Sequence, residues 1–131
     1  MADQLNVNTG TLAASVTYQN LVVSGHDVLT MRRTLLSGES VVYGQVCAMR
    51  TADSKIVPYE DGAGGGDGTA YCVAADNIDA SSGDQVGEFF FRAVLNKNNL
   101  TLGDTGNTAD DLSMFDDLRT RGIYLVDSVT L

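Results

Sequence analysis

The chain has 131 residues, with one proline, two cysteines, no tryptophan and fourteen glycines, enough for one domain that buries roughly two-thirds of its surface without disulfides or a structural metal. Seventeen acids against eight bases give a net charge of -9, a field that repels phosphate backbones and argues against nucleic-acid binding. With 44% apolar and 19% charged residues the chain as a whole is not intrinsically disordered, and Cys47 and Cys72 alone do not make a secreted disulfide scaffold.

No Lys or Arg precedes Arg32, so no positively charged leader is expected, and no apolar run approaches the ~18 residues of a spanning helix. The expectation is a soluble protein, free of membrane, folded in a cytoplasm with reduced thiols. Residues 1–19 carry a single charge, Asp3. Within them Leu5, Val7, Thr9 and Thr11 alternate with polar residues and show no helical period. Two readings stand: a tail without fixed structure, or a β-competent arm that orders by adding a strand to a partner's sheet.

Beyond this segment the signals are short and strand-like. Asn20–Val23 is a β-branched patch stopped by Ser24-Gly25. Asp27–Leu36 mixes apolar and basic residues and ends at Ser37-Gly38. Val41–Met49 reads as a buried strand, with Gly44 at the place of a bulge. Lys55–Tyr59 reads as a short edge strand, because Pro58 cannot donate to a central ladder. The glycine-rich run Asp61–Gly68 reads as a solvated hairpin tip, or as a loop packed close to a neighbour's backbone. Thr69–Ala75 resumes an apolar strand. Val86–Leu95 alternates, with Phe89, Phe91, Ala93 and Leu95 on one face and Glu88 and Arg92 on the other.

One helix is predicted, Ala109–Arg121. Thr108 serves as N-cap, and Asp110 and Asp111 complement the dipole of the first turn. Leu112, Phe115 and Leu118 form its apolar stripe, Asp117 pairs with Arg121 at i,i+4, and Gly122 stops it. A last strand covers Ile123–Leu131. Many short strands with one late helix give a mainly β domain, and the absence of βαβ alternation excludes a parallel α/β sheet.

Chemical motifs are weak. Asp104-Thr105-Gly106 matches the tripeptide of aspartic proteases, but it follows Leu102-Gly103 and leads into a helix, so a turn feeding an N-cap is the better reading. The glycine run lacks the Lys-Ser/Thr of a phosphate-binding loop, and Asp61 and Asp67 supply too few oxygens for calcium. His26, the only histidine, has no triad partners in a plausible order. Cys47 and Cys72 lack metal spacing and read as buried, inert thiols. No catalytic residue, metal site or cofactor is expected. Met114, Phe115 and the Phe89–Phe91 cluster suit a core better than an interface.

Several stretches, taken in order, carry a resemblance. They are Asn20-Leu21-Val22-Val23-Ser24-Gly25, Leu35–Gly44, Ile56–Tyr59 and Ala70–Ala80, followed by Asn96–Gly103 (NKNNLTLG) and Leu118–Leu125 (LRTRGIYL). Together, from Tyr18 to Leu131, the chain resembles the lambda-type head decoration protein D family of tailed bacteriophages. It departs from that family at Ser40–Gly44, at Ala93–Leu95 and in a longer glycine loop.

The resemblance implies a β-clip-like compact body (20–131) with a flexible N-terminal arm (1–19). It implies a homotrimer on the outer surface of the virion, made in the host bacterial cytoplasm, that binds the major capsid protein and braces the shell against packaged DNA, without catalysis. Leu5, Val7, Thr9, Thr11, Leu12, Val16 and Tyr18 are then the candidate capsid-binding residues. The rivals are a small dimeric or trimeric hydrolase of aspartic type using Asp104, and a minor structural protein of the phage tail.

Overall fold

The computed structural model describes residues 21–60, 62–102 and 112–126. Among these residues eight strands run in chain order: β1 (Val22–Leu35), β2 (Ser40–Val41), β3 (Val46–Met49), β4 (Ile56–Pro58), β5 (Ala70–Ala74), β6 (Ile78–Asp79), β7 (Gln85–Asn96) and β8 (Ile123–Val126). A 3-10 turn, Lys97–Asn99, follows β7, and one α-helix, α1 (Leu112–Thr120), precedes β8. The mainly β reading with a single short helix near the C-terminus holds.

The main sheet is ordered β1-β4-β3-β5-β7-β8, and β1 also pairs with β7. That second pairing closes five strands into a ring, with β8 attached to the edge of β7 that β5 also uses further along. Closure reduces the exposed sheet edges, leaving the outer edge of β8 and the part of β4 beyond Ile56. A separate two-stranded ribbon, β2 with β6, holds Ser40 against Asp79 and Val41 against Ile78.

Apolar side chains sort into two clusters on opposite faces of the strands. Leu35, Ile56, Cys47, Cys72, Ala74 and Phe89 come from all five ring strands and fill the ring, joined by Val41, Ile78 and Ala80 from the ribbon and its flank. On the outer face Val46, Val73, Phe90, Ala93, Leu95 and Ile123 pack under Met114 and Leu118 of α1. Met114, Phe89 and Phe90 are therefore core, while Phe115 and Phe91 are only partly buried against it.

Several expectations are corrected. Asn20–Val23 and Asp27–Leu36 are not separate strands, because β1 runs continuously from Val22 to Leu35. The Ser24-Gly25 stop is absorbed by slack in the pairing: from Ser24 to Leu29 β1 uses five steps where β7 uses two. Val41–Met49 is not one strand. Gly44, at φ +88°, makes a turn that divides it, and a Cβ there would press on the Asn99 carbonyl at 3.2 Å.

The strand carrying Pro58 is not at an edge, since β4 lies between β1 and β3. Its contact with β1 is confined to Leu35 opposite Ile56, so Pro58 still has a neighbour on one side only, Cys47 of β3.

The glycine run is not a hairpin tip either. Strands β4 and β5 flank β3 on its two sides, so their connection must pass the end of β3. It docks there, with Thr51 N–H donating to the Gly65 carbonyl at 2.9 Å. Gly66, at φ +94°, lies so close that a Cβ would meet the Met49 carbonyl at 2.5 Å. Gly66 is thus a requirement of the crossing.

Helix α1 buries Met114 and Leu118 completely, with Phe115 half-buried at the margin. The buried spacing is i,i+4 rather than the expected run of threes, and Phe115 is covered on its outer side by Lys97, 5.7 Å from the ring. The helix is closed by Gly122, whose N–H donates to the Arg119 carbonyl. Thr108, Ala109, Asp110, Asp111 and residues 127–131 lie outside the described residues, as does the side chain of Leu112.

Candidate functional site

The candidate arm residues Leu5, Val7, Thr9, Thr11, Leu12, Val16 and Tyr18 all lie outside the described residues, as does Asp104. The residue that follows residues 1–20 is described. Leu21 is buried in the outer cluster, and its carbonyl accepts from Asn96 N–H at 2.7 Å. The adjoining turn is tied down as well: Thr101 N–H donates to the Gly44 carbonyl, and Val46 N–H donates to the Thr101 carbonyl. Whatever residues 1–20 contact, they are attached to a fixed point.

The groups able to do chemistry are few. Cys47 and Cys72 are both fully buried and free. Burial, with the neighbouring Cys47 thiol second, pushes the Cys72 thiol well above its ordinary value, the opposite of what a nucleophile needs. Among the described residues no three His, Cys, Asp or Glu side chains are placed to hold a metal ion. No helix among them is long and apolar enough to cross a membrane.

The surface is more informative. Leu29, Met31, Val42, Tyr43, Val86 and Tyr124 are large apolar side chains left exposed. Tyr124 borders a cleft of about 240 Å³ between α1 and β8, lined also by Phe115, Asp116, Arg119 and Leu125.

A second cleft, about 200 Å³, is lined by Met49, Thr51, Gly66, Thr69, Tyr71 and Arg121. One β-bulge, at Tyr71, contributes to its wall, and a second, at Phe91, lies against that ring. Cys47 and Ala48 of β3 pair with Cys72 and Ala70 of β5, so Tyr71 is an extra residue. Leu29 and Thr30 of β1 pair with Arg92 and Phe90 of β7, so Phe91 is another. A bulge reverses the alternation and re-aims a side chain. Phe91 shares a cluster with Phe89, as plain alternation gives, while Ala93 and Leu95, beyond the bulge, lie in the other, which corrects the single face expected for these four residues.

The two bulged rings meet edge-to-face, 5.5 Å between centroids. A guanidinium covers each ring: Arg33 lies 5.3 Å from Phe91 and Arg121 lies 4.4 Å from Tyr71.

Most of the other cations are occupied. Lys55 pairs with Asp84 at 2.6 Å, Arg119 with Asp116 at 2.9 Å, Arg32 with Glu88 at 3.9 Å, and Arg50 with Asp53. The expected pair of Asp117 with Arg121 does not form. Asp117 instead accepts from the Ala70 N–H at 3.3 Å, at the start of β5. Arg33, Arg92 and Arg121 have no carboxylate partner among the described residues, and the buried Nε of Arg33 has no acceptor. Sequence spacing missed this row of rings and guanidinia, because both bulges depend on strand pairings distant in the chain.

Among known families, the model of the bacteriophage lambda head decoration protein D matches residues 11–123. The match takes in Thr11–Tyr18, inside the segment assigned to the arm, and ends at the first residue of β8. No curated protein matches the chain. The matched span covers the whole ring, the ribbon and the helix, and with it the chain belongs to the bacteriophage lambda head decoration protein D family, a family of structural phage capsid proteins that decorate the head.

Proposed function

We propose that this chain binds the assembled phage head as a homotrimer on its outer surface, contacts the major capsid protein through residues 1–19, and braces the shell against the pressure of packaged DNA. It is made in the host cytoplasm before it docks. The observation that carries this reading is the family match across residues 11–123. The arm contributes its own support: it holds one acid of the chain's seventeen, is competent to add a strand, and springs from the tied residue Leu21. In this reading residues 20–131 are the body, and Leu5, Val7, Thr9, Thr11, Leu12, Val16 and Tyr18 supply the contacts of the arm.

Strand addition contributes about 1 kcal/mol net per backbone hydrogen bond, so a single short arm holds weakly. Three arms on one rigid body act together, and their linkage raises the avidity by about 10²–10⁴. Deleting residues 2–19 tests this. The truncated protein is expected to remain a folded trimer by light scattering and to leave purified, expanded heads undecorated. Saturation of heads by the truncated protein would overturn the assignment to the arm.

A further inference from the structure

We infer that the cleft beside Tyr71 is one half of a head-to-tail contact between copies of this chain, in which Arg121 receives the carboxylate of Asp76 from a neighbouring copy. Resting on the trimeric reading above, this adds which surfaces meet and with what polarity.

Arg121 is prepared for a carboxylate. Its guanidinium is held on the Tyr71 ring at 4.4 Å, so less side-chain freedom is lost when it pairs. Its i−4 neighbour Asp117 is engaged with the Ala70 N–H, and no other carboxylate pairs with it among the described residues. Thr51 and Thr69 line the same cleft and add hydroxyl donors. At about 200 Å³ the space falls below the roughly 300–1,000 Å³ of small-molecule sites and suits one inserted side chain. A second guanidinium, Arg33, lies one ring further along, on Phe91.

Charge names the occupant. Each copy carries seventeen acids against eight bases, so a second copy offers spare carboxylates. The antiparallel pairing of β3 with β5 puts Met49–Thr51 and Thr69–Tyr71 at one end of these strands. At the other end are Tyr43–Gln45 and Ala75–Asn77. There Asp76 is exposed and has no cation partner among the described residues, and Val42 and Tyr43, each 47% exposed, stand beside it. That end is fixed by the Tyr43 N–H donating to Asn77 Oδ1 and the Asn77 N–H donating to Asp76 Oδ1.

One end therefore presents cations on aromatic rings, and the other an acid beside apolar side chains. A two-fold pairing through the first end would set Arg33 and Arg121 against their own copies. Joining unlike ends avoids this, and a heterologous contact of that kind closes into a ring when its rotation allows.

The test uses the full-length protein and its variants Arg121→Glu, Asp76→Arg and the double charge reversal, with assembly followed by sedimentation over a range of concentrations. Circular dichroism checks that each variant is folded, and both positions are exposed. Each single reversal is expected to weaken assembly about 30-fold or more, the double reversal to restore it, and added salt to weaken the native assembly. Assembly of Arg121→Glu at native strength overturns the inference and leaves the trimer standing. A native protein that stays monomeric overturns both. Failure of the double reversal to restore assembly removes Asp76 as the partner. A variant that assembles normally but no longer decorates heads would place the cleft against the shell instead.

Discussion

Cys47 and Cys72 are Cα partners across β3 and β5, both thiols wholly buried within the ring. Neither is expected to react with an aromatic disulfide reagent in the native protein, and both should titrate in denaturant. Burial holds the Cys72 thiol protonated in the fold above its ordinary value of 9.0. Unfolded chains then release a proton that native chains keep, so stability is full below about pH 9 and declines as the pH rises beyond it. A thermal scan should show a shallower decline above pH 9 for Cys72→Ala than for the native protein.

Asp84 behaves in the opposite sense. The Lys55 ammonium, first, and the Ser37 N–H hold its carboxylate below the usual value of 3.8. Its contribution is present above about pH 4 and lost as the pH falls through the lowered native value. Asp84→Asn is expected to lower stability at pH 7 and to flatten the acid limb of the pH–stability curve, measured by urea unfolding.

Asp117 and Arg121 should separate on mutation. Asp117→Ala removes the acceptor for the N–H of fully buried Ala70, at a cost of about 1–3 kcal/mol. Arg121→Ala, which removes only an exposed cation from a ring, should cost about 1 kcal/mol or less in the isolated chain. Equal effects in chemical denaturation would mean that the two act as an ordinary helical ion pair.

Gly66→Ala should destabilise by about 1–3 kcal/mol, since it adds backbone strain and sets a methyl group against the Met49 carbonyl and Thr51. Gly64→Ala, with open space around it, serves as the control and should change the melting temperature little.

Local signals were legible in the residues. Gly122 ends the helix where its position after Arg119–Arg121 indicates, and Pro58 sits where β4 has a single neighbour. Non-local geometry was hidden. Nothing in Tyr71 or Phe91 announces a bulge, because a bulge is a mismatch between two strands and belongs to neither alone. The same holds for β1, whose one pair with Ile56 and long pairing with β7 close the ring. Ser40–Val41 and Ile78–Asp79 are too short to show a period. At the candidate site, the spacing of Asp117 and Arg121 suggested a pair that the Ala70 N–H pre-empts.

The pairing of β1 with β7 also has a mechanical meaning. A pull on Leu21 along the axis of β1 takes up the slack between Ser24 and Leu29 and then meets backbone hydrogen bonds that lie across the direction of force, from Thr30 opposite Phe90 to Leu35 opposite Gln85. Such bonds are loaded in shear and yield together, whereas a hairpin opened from its end unzips one bond at a time. Tension arriving through residues 1–20 would thus be spread along the longest strand pair of the body before any single turn gave way.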